Sequence, residues 1–437
     1  MKISEQRSLA REQKEAVGLL SIGTFLEYFD LMLYVHMAVL LNELFFPKTD
    51  SFSSSIIAAF TFCVTFITRP LGALLFGWIG DNIGRKSTVI ITTFMMAFTC
   101  FIMANLPTYA QWGYFASIFM IICRILQGMS SLGETVGAEL YLTETIKPPL
   151  QYPIVSFITV CCSLGGMVAL IVAHISSSYA MNWRVAFWFG AGIALIGGIS
   201  RTALKETPEF VDAKRKLQRF YKQYKNEQVN LDISKNSNLI VHEKVDYKTC
   251  LALFLMDCIW PFCFYFSYIY CGSILSDVFH YTPEQIIYQN FTVSIVQLAG
   301  ILCLTYLSYI IHPLKILRVT MVILFIFLCF VPYLLNHLES AFDLFIIQSF
   351  IMFFILSPVP AMPIIYRHFP VFKRFTYVSF IFALSRAVIY LVTSFGLIFL
   401  NALFGYYGML IVVIPGIIGF GFGLLHFTRL DQRAVEV

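Results

Sequence analysis

The sequence predicts an all-α membrane protein of twelve membrane-spanning helices, and three observations predict it. The composition is 58% hydrophobic and 13% charged with a mean hydropathy of +0.76, where soluble domains carry charge on about a quarter of their residues. Apolar runs long enough to cross ~30 Å of hydrocarbon at ~1.5 Å per residue recur along the whole chain. None of them alternates with period two, so they read as helices and not as the strands of a barrel. The spans fall at residues 17–42, 53–79, 87–106, 110–140, 152–177 and 183–204, then 247–276, 284–311, 314–336, 341–365, 375–401 and 404–427. They divide the chain into a six-helix bundle at 1–204, a linker at 205–246 and a second six-helix bundle at 247–437.

Basic residues set the orientation, because Lys and Arg stay on the cytoplasmic side of a membrane. With the N-terminus inside, every Lys and Arg lies in a cytoplasmic segment except Lys48 and Arg184 outside and Arg69, Arg124 and Arg386 within helices. Both termini are therefore expected in the cytoplasm. This topology accounts for the net charge of +5 and leaves no reason to expect a nucleic-acid partner. A cleavable signal is not expected either, since the first apolar run is too long and ends at Asn42-Glu43 without small residues. The eleven cysteines lie in or beside spans, show no C-x-x-C or Cys/His clustering, and read as small buried hydrophobes rather than disulfides or metal ligands.

Helix 1 contains the costliest residues. Glu27 and Asp30 stand inside an apolar run, each costing roughly 2.5–3.5 kcal/mol near mid-membrane. Spacings of three and four align Gly23, Glu27, Asp30 and Tyr34 on one face, which belongs against other helices or a watery cavity. Arg69 follows on helix 2, about twelve residues above Asp81 and so ~18 Å into the membrane. The loop after it reads Gly77, Gly80, Asp81, Asn82, Gly84, Arg85, Lys86.

That loop resembles the signature between helices 2 and 3 of the major facilitator superfamily, G-x3-D-[RK]-x-G-R-[RK], with Asn82 in place of the usual basic residue. Five ordered strings, GTFLEYFDLMLY, RPLGALLFGWIGDNIGRK, RILQGMSSLGE, NWRVAF and LKETPEF, are similar to stretches of one branch, the metabolite:proton symporters. That branch includes proline/betaine, shikimate, citrate and 2-oxoglutarate transporters. In the second half the similarity is thinner, chiefly SPVPAMP before Tyr366-Arg367. The resemblance implies the major facilitator fold, with Gly77, Asp81, Gly84, Arg85 and Lys86 latching the cytoplasmic ends of the two halves.

Helix 4 carries Arg124, Gln127, Ser131, Glu134 and Glu139, and the first four share a polar face. Asp30 and Arg124 are natural partners, since an unpaired buried ion would neutralise or expel its helix. Counted from the cytoplasmic helix ends, Asp30 is ~20 Å deep and Arg124 ~30 Å, so their pairing requires helix 4 to overshoot the membrane. The loop after Glu144 departs from the resemblance, holding only Lys147 where several basic residues are usual. Helix 5 brings Gly165 and Gly166, a packing seam. Residues 205–246 are charged and Lys-rich, a solvated linker.

In the second half Pro261 should break helix 7 beside Asp257, Trp260 and an aromatic run to Tyr270. Where a second signature loop would fall the chain reads LSYIIHPLKILR, without its Asp and glycines. Pro358, Pro360 and Pro363 interrupt helix 10. Arg386 on helix 11 is placed either to clasp a substrate carboxylate or to pair with Asp257.

These residues point to a secondary transporter that takes up a small organic solute, a proline/betaine-like zwitterion or a carboxylate, together with a proton. Asp30 and Arg124 are the expected proton-coupling pair, with Glu27 and Glu134 as alternatives; Tyr34, Arg69, Gln127, Trp260 and Arg386 are the solute-side candidates. A carboxylate whose partner switches between an arginine and water changes its proton affinity with conformation, which is how a proton could bias the cycle. The alternative is a solute sensor with the same fold, which binds and does not transport. No catalytic constellation or nucleotide-cradling G-x-x-x-x-G-K-[ST] is present, so neither an enzyme nor ATP-driven transport is expected. No cofactor or metal is expected, and the anticipated form is a monomer in the inner membrane of a bacterium.

Overall fold

The first apolar run folds as one long helix, α1 (Arg11–Phe45), in a computed structural model that describes residues 6–47, 60–61, 63–178, 182–202, 206, 211–212, 214–215 and 245–436. The first half continues with α2 (Arg69–Asn82, within the apolar stretch Cys63–Asn82), α3 (Arg85–Asn105), α4 (Tyr114–Thr145), α5 (Gln151–Ser178) and α6 (Arg184–Arg201). The second half has α7 (Tyr247–Asp257, continued at Ile259–Tyr265), α8 (Pro283–Ile310), α9 (Pro313–Asn336), α10 (Ala341–Phe353), α11 (Val371–Leu391) and α12 (Leu410–Glu436). Among the described residues, ten helices are long and apolar enough to cross a membrane, and Arg184–Ile199 and Ala341–Phe353 are shorter apolar helices. The expected second span at 53–79 and the linker at 205–246 lie partly or mostly outside the described residues.

Several ends differ from the hydropathy reading. Helix α1 begins at Arg11 instead of 17, with an Arg11–Glu15 pair at 3.0 Å on its polar first turns, and α12 runs to Glu436 instead of 427. Hydropathy marks where a helix enters lipid, and backbone hydrogen bonding carries the helix on into water. Proline acts where its ring requires. A proline clashes with the carbonyl four residues earlier, and α7 is interrupted at Cys258, directly after Asp257, four residues before Pro261. Beyond it a π-helical turn spans Phe266–Tyr270. Helix α10 stops at Phe353 ahead of Pro358, and the chain resumes as short turns at Val359–Ala361 and Met362–Tyr366.

Within the first half α1 packs on α4, α5 and α6, and α3 on α4 and α6; in the second, α7 packs on α11 and α12, α8 on α10 and α9 on α12. The halves meet along α2 against α11 and α5 against α8. The seam expected at Gly165 lies between α5 and α1, where an added Cβ would stand 3.0 Å from the Phe29 nitrogen. Polarity is arranged for lipid, not water. Leu71, Phe98, Phe115, Ile196, Phe330 and Phe399 face outward, while Glu27, Asp30, Arg69, Arg124, Asp257 and Arg386 are buried. Eight of the eleven free cysteines are buried, as small hydrophobes should be.

Candidate functional site

Three linked groups of polar residues lie inside this apolar shell. The first surrounds Asp30. Helix α4 has 32 residues, ~48 Å at 1.5 Å each, so it overshoots the hydrocarbon and brings Arg124 level with Asp30. The two charges are joined through Gln127, whose Nε2 donates to Asp30 Oδ2 at 2.6 Å and whose Oε1 accepts from Arg124 Nη1 at 3.0 Å. Asp30 Oδ1 accepts from the Cys100 thiol on α3 at 2.9 Å. The Arg124 guanidinium stacks over the Tyr34 ring at 3.7 Å, a cation–π contact that offsets part of its lost hydration. Asp30, Arg124 and Gln127 are each at most 2% exposed. Glu27, one turn away, accepts from Thr135 Oγ1 at 2.8 Å.

The second group is a cavity between the halves. Tyr28, Glu139, Cys162, Trp260, Tyr268 and Arg386 are among its lining residues, drawn from α1, α4, α5, α7 with its π turn, and α11. About 70 Å³ is open to the centres of water-sized molecules, room for roughly five waters at ~10–15 Å³ each. Arg386 lies 3.9 Å from Asp257 Oδ1, 3.2 Å from the centre of the Phe382 ring and 5.3 Å from that of Trp260. Its Nε and Asp257 Oδ2 are buried without a hydrogen bond among the described residues, so that ion pair is loose. Of the five residues expected on the solute side, Trp260 and Arg386 line this cavity. Tyr34 and Gln127 belong to the Asp30 group, and Arg69 is buried against the Phe66 ring at 4.7 Å, on a helix packed against α4 and α11.

The third group closes one face of the bundle, the face predicted to be cytoplasmic. Asp81 accepts from the Phe375 and Thr376 backbone N–H groups at 3.1 and 2.8 Å and from the Thr376 hydroxyl at 2.6 Å, near the positive end of α11. Glu144 and Arg374 form a buried ion pair at 3.1 Å. Arg367 donates to Gln151 at 2.5 Å, and Tyr366 donates to Glu139 at 2.6 Å. Gly84 has φ +151°, a conformation that disfavours side chains, and Lys86 N–H donates to Glu206 at 3.3 Å. The side chains of Arg85 and Glu134 lie outside the described residues.

Gly77 lets α2 approach α11, because an added Cβ would stand 2.7 Å from the Thr376 Cα, a backbone atom that cannot swing aside. Gly77→Ala is therefore expected to disfavour the closed face by ~1–3 kcal/mol, the cost of overpacking. Cys162 lines the cavity and serves as a reporter. Its labelling by an impermeant thiol reagent from the predicted cytoplasmic side should rise in the variant, and an unchanged rate would mean that the contact relaxes at no cost.

Sequence reasoning missed Cys100, Tyr28, Tyr366 and Arg374 as members of these groups. Only Tyr28 had a local signal, its place beside Glu27 in the same polar turn.

A lipid-adapted helical protein with two halves closed around a cavity that holds a few charged and polar groups, and joined at one face by bonds between them, defines a class of multi-pass membrane protein. A family model for the Major Facilitator Superfamily matches residues 20–389, and the chain belongs to that family. A proline/betaine transporter of Salmonella typhimurium is 32% identical over 212 residues, 47% of this chain and 42% of that protein. The inner membrane metabolite transport protein YhjE of Escherichia coli is 33% identical over 197 residues, 43% of this chain and 45% of that protein. The aligned stretch thus spans about half the length of the curated relatives it matches. Among solved structures, the proton:xylose symporter XylE bound to 6-bromo-6-deoxy-D-glucose shares the fold with a TM-score of 0.73 at 14% identity, covering 95% of each chain. A human organic anion transporter gives 0.64 at 16% identity, covering 96% of this chain and 99% of that one.

Proposed function

We propose that this chain is a secondary transporter that moves a small organic solute by alternating access, coupled to a proton through Asp30. The observation that carries the reading is a largely apolar cavity, set with a few polar groups such as Glu139 and Arg386, that is lined from both halves and lies above a face held by bonds between those halves. Breaking the bonds of Asp81 and Glu144 to α11 and of Glu139 to the turn Met362–Tyr366 would open the cavity to that face. In this reading twelve helices cross the inner membrane of a bacterium, both termini are cytoplasmic, residues 205–246 link the two six-helix halves, and the monomer is the working unit. The signature residues Gly77, Asp81, Gly84, Arg85 and Lys86 hold the cytoplasmic gate.

The solute is a proline/betaine-like zwitterion or a carboxylate. Its support is a guanidinium, Arg386, only loosely paired with Asp257 and sharing one cavity with the aromatic rings of Trp260, Tyr28 and Tyr268, together with relatives described as proline/betaine transporters. Reconstituted protein under an imposed pH gradient should accumulate one of proline, glycine betaine, 2-oxoglutarate, citrate or shikimate. Binding without accumulation would identify a sensor instead.

Arg386→Ala should raise KM for carboxylated solutes by roughly tenfold to hundredfold, the value of ~1.5–3 kcal/mol for a hydrogen bond to a charged group. Uptake kinetics across a solute panel check this. An equal loss for carboxylated and uncharged solutes would leave Arg386 a purely structural partner of Asp257.

A further inference from the structure

Glu139 belongs to two of the groups described above. Its side chain lines the cavity, and its Oε2 accepts the Tyr366 hydroxyl at 2.6 Å from the opposite half of the molecule. Both residues are buried, Glu139 at 2% exposure and Tyr366 at 0%, so this bond meets only the small volume of the cavity while the face is closed. Tyr366 is followed at once by Arg367, which donates to Gln151, and Arg374 eight residues on pairs with Glu144. Tyr366 is thus the inner end of a row of contacts between the halves, and Glu139 is the member of that row a solute can reach. A cation arriving beside this carboxylate draws on the same negative charge that strengthens the hydroxyl's bond, and so weakens it.

We infer that Glu139 is the cavity's receptor for a cationic group of the solute, and that capture of this group releases Tyr366 and loosens the closed face. This rests on the transport reading, and it deepens it in one respect. Arg386 and Glu139 then serve opposite ends of one small zwitterion, and the acidic end of the pair also senses occupancy. A dianion would have no such access to the lock.

The test uses full-length protein in membrane vesicles of both orientations, with labelling of Cys162 by an impermeant methanethiosulfonate resolved by peptide mass spectrometry. Tyr366→Phe, which removes only the hydroxyl, should raise labelling from the predicted cytoplasmic side at least severalfold with no solute present. Glu139→Gln keeps an oxygen for Tyr366 but not its charge, so its resting rate should rise less than that of Tyr366→Phe, and its solute response is read against its own resting rate. Glycine betaine should speed labelling in wild type and have no effect in Glu139→Gln, whereas succinate should act equally on the two. Wild-type labelling in Tyr366→Phe would overturn the lock, and a glycine betaine response surviving in Glu139→Gln, or absent from wild type, would overturn the receptor. If wild-type protein accumulates no solute yet Tyr366→Phe opens the face, the transport reading fails and the lock stands.

Discussion

Asp30→Asn is expected to abolish solute accumulation driven by a pH gradient while sparing exchange of one solute molecule for another. Asparagine matches aspartate in shape, so the packing of α1 against α4 and α5 should survive. Its amide oxygen can still accept from Gln127 or from the Cys100 thiol, the two donors that hold the carboxylate at 2.6 and 2.9 Å. Its side chain cannot take up and release a proton. Net uptake needs a proton bound on one side and lost on the other, whereas exchange uses only solute-loaded steps, so the two activities should separate. Arg124 would keep Tyr34 at 3.7 Å and Gln127 at 3.0 Å as neighbours. A reconstituted variant with wild-type accumulation would remove Asp30 from the coupling role. Equal loss of accumulation and exchange would point to a structural one.

The Asp30 group also shows how far the sequence could be read. Helical spacing placed Glu27, Asp30 and Tyr34 on one face and Arg124 with Gln127 on another, and the structure brings those faces together. It did not give the order of contact. Gln127 stands between the charges because the relative rotation and height of α1 and α4 depend on packing, which no local pattern encodes. Cys100 was read only as a small hydrophobe, because nothing in the surrounding apolar run of α3 signals that its thiol meets a carboxylate on α1.

The closed face was half legible. Its signature loop is plain at Gly77, Asp81 and Gly84, yet Phe375 and Thr376, the partners of Gly77 and Asp81, lie almost three hundred residues away and carry no motif. In the sequence Arg374 signals nothing beyond positive charge that sets topology, and Arg367 little more. Their ordered contacts with Gln151 and Glu144 depend on bringing the turn Met362–Tyr366 and α11 against α4 and α5, a tertiary fact. Among the described residues, helix existence and order are legible at the ten spans whose apolar runs are long. Helix ends are not, since charged turns such as those of α1 and α12 remain helical outside lipid.

The Glu144–Arg374 pair should give the second large effect. Its side chains are 0% and 7% exposed and sit 3.1 Å apart, and Arg374 Nε also donates to the Phe369 carbonyl at 3.1 Å. Removing one member of a buried pair costs ~3–5 kcal/mol when the site stays closed. Here the site need not stay closed, because parting the halves lets water reach Glu144. Arg374→Ala should therefore act less on folding than on conformation, favouring the open face by ~100-fold or more, with the full cost avoided through that opening. Asp81, Gln151 and Glu139 still bond across the halves and will hold part of the population closed, so losses at these positions should be non-additive. The expected result is fast Cys162 labelling from the predicted cytoplasmic side together with loss of accumulation. The exchanged pair Glu144→Arg with Arg374→Glu should restore only part of the closure, since the Coulomb attraction returns but the bond to Phe369 does not. Labelling of Arg374→Ala at the wild-type rate, with normal uptake, would show that this ion pair serves packing alone.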